Sequence, residues 1–249
     1  MKMTIVYDGT YEGFLTAVFD GVYSREKEVA LIREQDFEGS LLETRRADTD
    51  LTKSRRVYDA MCAKLTMNTA NAVYHAWLSC LPEMDSTLFR FIKFAFDMGR
   101  DVTPMIYHPL VSRVVRTAEA VGRQAHKFMG LLRFRKVGGL YIADMEPDYD
   151  VLPLITWHFT DRFGSQSFAI RDLRHRRVLL HEGVRERRTL MLDIEGPAPV
   201  LASSDDFEQL WKGYYESMTI KERISPDYDL RQKFIPKKFR GHICELSAN

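Results

Sequence analysis

The chain has 249 residues, of which 45% are hydrophobic, with 15 Phe and 11 Tyr, and its formal net charge is +1. Such a length holds one large domain or two small ones with a substantial core, and such a composition excludes a disordered chain. A charge this close to zero creates no global field for nucleic acid, so local runs of charge carry more information than the total.

No apolar run reaches the roughly eighteen residues of a membrane span. The start, Met1 to Asp8, meets acidic and turn residues too soon for a signal peptide. Cys62, Cys80 and Cys244 lie far apart, without the close spacing of a zinc ribbon or an iron–sulfur cradle, and suit a reduced cytoplasm. A cytoplasmic protein is therefore expected, with no cofactor and no metal.

Thr4 to Tyr7 is a β-branched and aromatic run that reads as a strand. Asp8-Gly9-Thr10 turns the chain, Thr10 is a good N-cap, and Phe14, Leu15, Val18, Phe19 and Val22 follow at helical spacing. Asp8, Thr10 and Glu12 surround a helix start that could hold an anion, although acidic residues are also common in an ordinary capped first turn. Residues 24–50 are charged and weakly patterned. Val29 to Ile32 reads as a short strand inside an unusually long exposed connection.

Four helices follow. Val57, Tyr58, Met61 and Leu65 share one face, and Ala70, Val73, Tyr74, Trp77, Leu78 and Leu81 share the next until Pro82 stops it. Asp85 is expected to cap a third helix with Leu88, Phe91, Ile92, Ala95 and Phe96 inward. The fourth runs from about Pro109 to Met129, with Val111, Val114, Val115, Ala118, Gly122, Ala125 and Met129 on its apolar stripe. Short loops predict antiparallel neighbours, as in a bundle.

From Leu131 the period changes to two. Leu132 and Phe134 alternate with Arg133 and Arg135, and Gly138-Gly139 suits a two-residue hairpin turn. Pro153 opens a short helix to Phe163. Ser167 to Arg171 and Arg177 to Leu180 read as a second hairpin turning near Arg174-His175, and Thr189 to Ile194 as a further strand. After Gly196-Pro197-Ala198-Pro199, a long helix carries Phe207, Leu210, Trp211, Tyr214, Tyr215 and Met218, and a polar, basic tail runs from Lys221. The expected fold class is α+β: an N-terminal strand and a multi-helix bundle packed with a late antiparallel sheet of about four or five strands, closed by the long C-terminal helix. It reads as a single domain over residues 1–249, helical over about 1–130 and 200–249 and β-rich over about 131–199.

Two constellations could carry chemistry. His126, Glu146, Asp148 and His158 offer two imidazoles and two carboxylates, suited to acid–base work or to a divalent metal, although no motif spacing forces them together and such groups also stabilise sheet–helix junctions. The second constellation is basic. On the fourth helix Arg116, Arg123 and Lys127 fall on one polar side, with Arg113 nearby and His126 at its border. Further on, Arg171, Arg174, His175, Arg176, Arg177, His181, Arg185, Arg187 and Arg188 crowd the second hairpin. Arg231, Lys233, Lys237, Lys238 and Arg240 crowd the tail beside Phe234 and Phe239. Cations beside aromatics hold phosphates and stack bases; a solvated face, or an edge charged against aggregation, looks the same in sequence. No Gly-x-Ser-x-Gly, phosphate-binding loop or dinucleotide fingerprint occurs.

Several segments resemble, as a set, a bacterial family described only as DNA metabolism proteins, a domain of unknown function. They are Tyr7-Asp-Gly-Thr-Tyr-Glu-Gly-Phe-Leu15, Arg123-Gln-Ala-His-Lys127 with Gly130 and Arg133-Phe134, Glu146-Pro-Asp148, Leu152-Pro153, and His158-Phe159 with Arg162-Phe163. Trp211, Tyr214, Ile220, Glu222-Arg223 and Gln232 with Phe234-Ile-Pro-Lys-Lys-Phe239 complete the set. The resemblance implies a partner of a radical SAM (S-adenosylmethionine) protein, in a family whose domain also occurs fused to a uracil-DNA glycosylase domain. The chain lacks the cysteine triplet of the radical enzyme itself. Two places depart from the family pattern: Leu131-Leu132, where an aromatic or β-branched residue is expected, and Phe239-Arg240, where a Tyr-Trp-like pair is expected.

The leading expectation is a nucleic-acid-binding accessory protein of DNA repair or modification, working with a separate radical SAM or glycosylase catalytic partner. DNA would be held by Arg116, Arg123, Lys127, Arg133, Arg162, Arg176, Arg177, Lys237 and Lys238. The alternatives are an enzyme acting on nucleic acid or nucleotide through His126, Glu146, Asp148 and His158, or a protein-interaction scaffold.

Overall fold

The computed structural model describes residues 2–24, 26, 28–39, 43–137, 139–183 and 188–193, with the backbone alone for Lys2, Arg188, Leu190 and Leu192. The expected C-terminal helix and the basic tail lie outside the described residues. The chain divides into two compact units. The first comprises Met1–Ala125 with Tyr149–Val151, and the second comprises His126–Asp148 and the chain from Leu152 onward.

In the first unit, β1 (Lys2–Tyr7) is the centre of a three-stranded sheet, with β2 (Glu28–Arg33) and β3 (Glu43–Ala47) on either side. Both neighbours pair with β1 in parallel, Ile5 opposite Leu31 in one ladder and Arg45 in the other. The short strand expected at Val29–Ile32 is β2, whereas the long exposed connection expected around it also holds the unforeseen β3. Residues 24–50 read as a loop because β3 is Glu-Thr-Arg-Arg-Ala, with four of its five residues exposed. A strand with so little buried surface has no period-2 signature to find.

Between β1 and β2 runs α1 (Tyr11–Val22), and after β3 come α2 (Leu51–Ala60), a π-helical turn at Met61–Leu65, α3 (Met67–Trp77), α4 (Met84–Met98) and α5 (Pro109–Leu131). Asp50 caps α2 by accepting from Thr52 N and Lys53 N, and Thr66 caps α3 by accepting from Thr69 N. Phe14, Leu15, Phe91, Ile92, Met61 and Leu88 are fully buried. α1 and α4 pack on β strands as well as on other helices, so the helices cover a sheet instead of forming a bundle. The Ser86 hydroxyl on α4 donates to Leu31 O (3.1 Å) and accepts from Leu31 N (2.9 Å), on the outer side of β2.

The second unit holds β4 (Arg135–Val137), β5 (Leu140–Met145), α6 (Leu152–Phe163), β6 (Phe168–Asp172), β7 (Arg177–Glu182) and β8 (Arg188–Asp193), its five strands adjacent in chain order. Val137 pairs with Leu140, so the first reversal spans two positions. β5 and β6 run parallel through the α6 crossover, whereas the other neighbours are antiparallel. The sheet is therefore mixed, a correction to the purely antiparallel expectation, because a helix between two paired strands brings the chain back in the same direction. Its core is aromatic: Phe134 lies 4.6 Å from Phe163 and 5.2 Å from Phe159, and Phe163 lies 4.9 Å from Phe168, centroid to centroid.

Candidate functional site

The start of α1 is closed by the chain itself. Thr10 accepts from Gly13 N (2.9 Å), and Asp8 Oδ1 accepts from Thr10 N (2.9 Å) and from the Thr10 hydroxyl (2.7 Å). Thr49 donates to the other Asp8 oxygen at 2.8 Å. A side chain on Gly13 would strike the Asp8 carboxylate, so glycine is needed there for the carboxylate to approach. The place an external anion would take at this helix start is filled by Asp8, and Glu12 is buried beside it. Asp8 and Thr10 thus act as internal caps of α1, the ordinary capped start weighed beside the anion site at Asp8, Thr10 and Glu12.

The candidate acid–base residues all belong to the second unit. His126 and Glu146 are exposed. Asp148, also exposed, accepts from Arg174 Nη1 at 2.7 Å. His158 stands edge-on to Trp157 (6.3 Å) and Phe159 (4.9 Å), and its Nε2 is buried with no hydrogen-bond partner among the described residues. No group of three or more His, Cys, Asp or Glu side chains among the described residues could hold a metal ion. Nothing described joins these four side chains into one cluster.

The basic residues fare differently. α5 carries Val111, Val114, Ala118, Val121 and Ala125 buried, and Arg113, Arg116, Arg123 and Lys127 exposed. At about 100° per residue the buried five span an arc of about 80°, the four cations another of about 80°, and the two arcs are centred about 160° apart. The cations therefore face away from the packed side. Arg123 has Glu119 at 3.5 Å, an exposed pair of small strength. Arg113 and Arg116 have no ion-pair partner among the described residues. In the second unit, Arg133 donates to Gly130 O (3.1 Å) and Leu132 O (3.3 Å), and so closes the end of α5. Arg162 and Arg176 are exposed, while Arg177 pairs with Asp193 at 3.3 Å. Lys237 and Lys238 lie outside the described residues.

A family model described as a domain of unknown function, DUF4130, matches residues 82–245. The chain belongs to this family. No curated protein matches it. The matched segment takes in α4, α5 and all the described elements of the second unit, and leaves out the parallel sheet and the first three helices. No helix among the described residues is long and apolar enough to cross a membrane.

Sequence reasoning missed a buried polar cluster in the first unit. Arg33 Nε donates to Asp85 Oδ2 (3.1 Å), its Nη2 donates to Trp77 O (2.9 Å), and its guanidinium lies 4.8 Å from the Trp77 ring centroid. Tyr7 donates to the same Asp85 oxygen at 2.8 Å, and Trp77 Nε1 donates to the Tyr7 hydroxyl at 3.2 Å. Burial pushes the Tyr7 phenol well above its ordinary pKa, with the Asp85 charge adding to it. Burial opposes charge on Arg33, but the Asp85 carboxylate beside it outweighs this and holds the guanidinium protonated. Asp85 is therefore not the expected cap of α4. Glu83 stands at that cap, in the left-handed region at φ 58° and without a side-chain cap bond. No local signal marked it: Asp85 stands between Met84 and Ser86, and its partners Tyr7 and Arg33 are 78 and 52 residues away.

Arg33, Cys80 and Asp85 also border a groove of about 1100 Å³ between β2 and α4. Its other charged residues are of both signs: Glu28, Asp36, Glu38, Glu83 and Asp97 with Arg90 and Lys93. Cys80 is exposed, and its sulfur accepts from Arg33 Nη1 at 3.2 Å. Its mixed charge makes this groove a poorer seat for phosphate than the exposed cations of α5.

Proposed function

We propose that the protein binds DNA through the outward face of α5, as an accessory protein of DNA repair or modification that works with a separate catalytic partner. The observation that carries this reading is the placement of Arg113, Arg116, Arg123 and Lys127 opposite the buried stripe of one 23-residue helix. At about 1.5 Å per residue the four cations extend over about 21 Å of helix axis, enough to meet several successive phosphates. A bundle or sheet core gains nothing from such a row, whereas neutralised phosphates release counterions. The catalytic partner is inferred from the sequence resemblance, which points to a radical SAM protein or a uracil-DNA glycosylase domain in a bacterial setting.

The test is DNA binding measured against salt concentration, for the parent and for Arg123→Ala/Lys127→Ala. The expected result is a steep loss of affinity with salt in the parent, with the slope on duplex DNA reduced by about two in the double variant. Absence of salt-sensitive binding to both single- and double-stranded DNA overturns the reading.

A further inference from the structure

The turn that leads into α5 presents a large aromatic side chain to solvent. Tyr107 is 78% exposed and Ile106 before it 62%. Singly scattered exposed apolar residues are ordinary; here two adjoin, as Val22 and Tyr23 also do at the end of α1. The turn ahead of α5 is held at several points. Val102 is fully buried. Asp101 Oδ1 accepts from Thr103 N (2.8 Å), Thr103 Oγ1 (2.7 Å) and Thr69 Oγ1 (3.1 Å). Burial alone would raise the Asp101 carboxyl, but these hydrogen bonds and one from Thr66 hold it below its ordinary pKa. Backbone bonds of 2.9 Å tie Met105 N to Val102 O, Ile106 N to Pro104 O and His108 N to Met105 O. His108 stacks on Phe94 at 4.6 Å, with 19° between the ring planes. The hydrogen-bonded segment from Asp101 to His108 thus holds Tyr107 outward just ahead of a helix whose exposed face begins with Arg113 and Arg116.

We infer that Tyr107 is a stacking platform for an unpaired base, and that the surface formed by Tyr107, Arg113 and Arg116 takes single-stranded DNA. This inference rests on the DNA-binding reading of α5 and deepens it. Arg113 lies four residues, about 6 Å, into the helix, and Arg116 about 4.5 Å beyond. Along the helix axis, phosphates adjoining a base on Tyr107 come level with both. A base stacked on an exposed ring loses its pairing partner, so a closed duplex offers Tyr107 only its edge or its backbone. Stacking needs a π-face and no particular base, which predicts a surface tolerant of sequence. Ile106, beside the ring, supplies apolar contact to the sugar or base edge. No acidic residue stands in the first turn of α5 to repel the strand.

The experiment uses the full chain and three labelled probes of equal length: oligodeoxythymidine, the same strand without bases, and a duplex. The parent is expected to bind oligodeoxythymidine about tenfold more tightly than the abasic strand, the size of one stacking contact. Tyr107→Ala is expected to abolish that preference while leaving the abasic affinity and the salt slope unchanged. Tyr107→Phe, which keeps the ring, is expected to retain it. Arg113→Ala/Arg116→Ala should weaken both single-stranded probes and lower their salt slope by about 1.4. Equal affinity for the thymidine and abasic strands, or thymidine binding indifferent to Tyr107→Ala, overturns the stacking inference and leaves the DNA-binding reading intact. Tighter, Tyr107-independent binding of duplex overturns it in the same way. No salt-dependent binding of any probe removes both.

Discussion

Arg33 and the arginines of α5 put the same guanidinium into opposite surroundings. Arg33 is 6% exposed, forked against Asp85, stacked near Trp77 and bonded to a carbonyl. Arg113 and Arg116 stand in solvent with no ion-pair partner among the described residues. A buried charge must be matched by fixed partners before the chain can fold around it, so its role is consumed internally. An exposed one keeps its valence for a visitor. Burial, and not residue type, separates the arginines that hold this molecule together from those able to hold something else.

The contrast is broken most forcefully at Asp85. Asp85→Ala leaves the Arg33 guanidinium buried without its carboxylate, and thermal or urea unfolding should register a loss of about 3–5 kcal/mol. A loss under about 1 kcal/mol would mean that Arg33 escapes to water, and that the two classes of arginine are not distinct.

An intermediate case sharpens the comparison. In the second unit, Arg171 Nη2 donates to Asp144 Oδ2 at 2.8 Å and Arg135 Nη1 to the same oxygen at 3.1 Å, but the Asp144 side chain is 28% exposed. Asp144→Ala should cost about 1–2 kcal/mol, less than Asp85→Ala because water can partly replace the carboxylate. The hydrogen bond from Arg171 leads in holding the Asp144 carboxyl below its ordinary value of 3.8, with Arg135 assisting against burial. Its stabilisation is therefore complete above about pH 4 and lost as pH falls through the lowered folded-state value. Melting temperature followed from pH 5 down to pH 2 should drop more steeply in the parent than in Asp144→Ala. Parallel curves would detach this carboxylate from the acid response.

The smallest effect is expected on the other side of the contrast. Arg113→Ala/Arg116→Ala should change unfolding free energy by no more than about 0.5 kcal/mol, since neither side chain has an ion-pair partner among the described residues. A large loss in the same measurement would make these arginines structural and withdraw the basis for a binding face.

These two classes of residue were unequally legible in the sequence. The long helices were, because Val111, Val114, Ala118 and Ala125 of the expected stripe recur at the helical period and are buried, with Val121 in place of Gly122, and the outward row of cations follows from the same arithmetic. Tyr107 was not, because a solvent-exposed ring in a turn looks like any aromatic between two helices. β3 was hidden by its polar residues. Asp85 resembled a helix cap because its position before an apolar run is where caps occur, and only tertiary structure brings Tyr7 and Arg33 to it. Asp8-Gly9-Thr10 gave the right helix start but not its self-closure, which depends on Thr49 and on the absent side chain of Gly13. Among the residues that carry the family resemblance, Phe159 is buried and the half-buried Phe134 and Phe163 pack with it in one aromatic cluster of the second unit, so part of that pattern records packing and not chemistry.

Ser86 has a consequence for how the molecule behaves in a crowd. β2 is the outermost strand on its side of the parallel sheet, and a bare outer strand is a template on which another chain can crystallise its own backbone. By taking both the N–H and the C=O of Leu31, the Ser86 hydroxyl occupies the middle of that template with a partner only one oxygen wide. A foreign strand arriving there meets a ladder with its central rung already filled. A single serine thereby guards against runaway polymerisation along this edge.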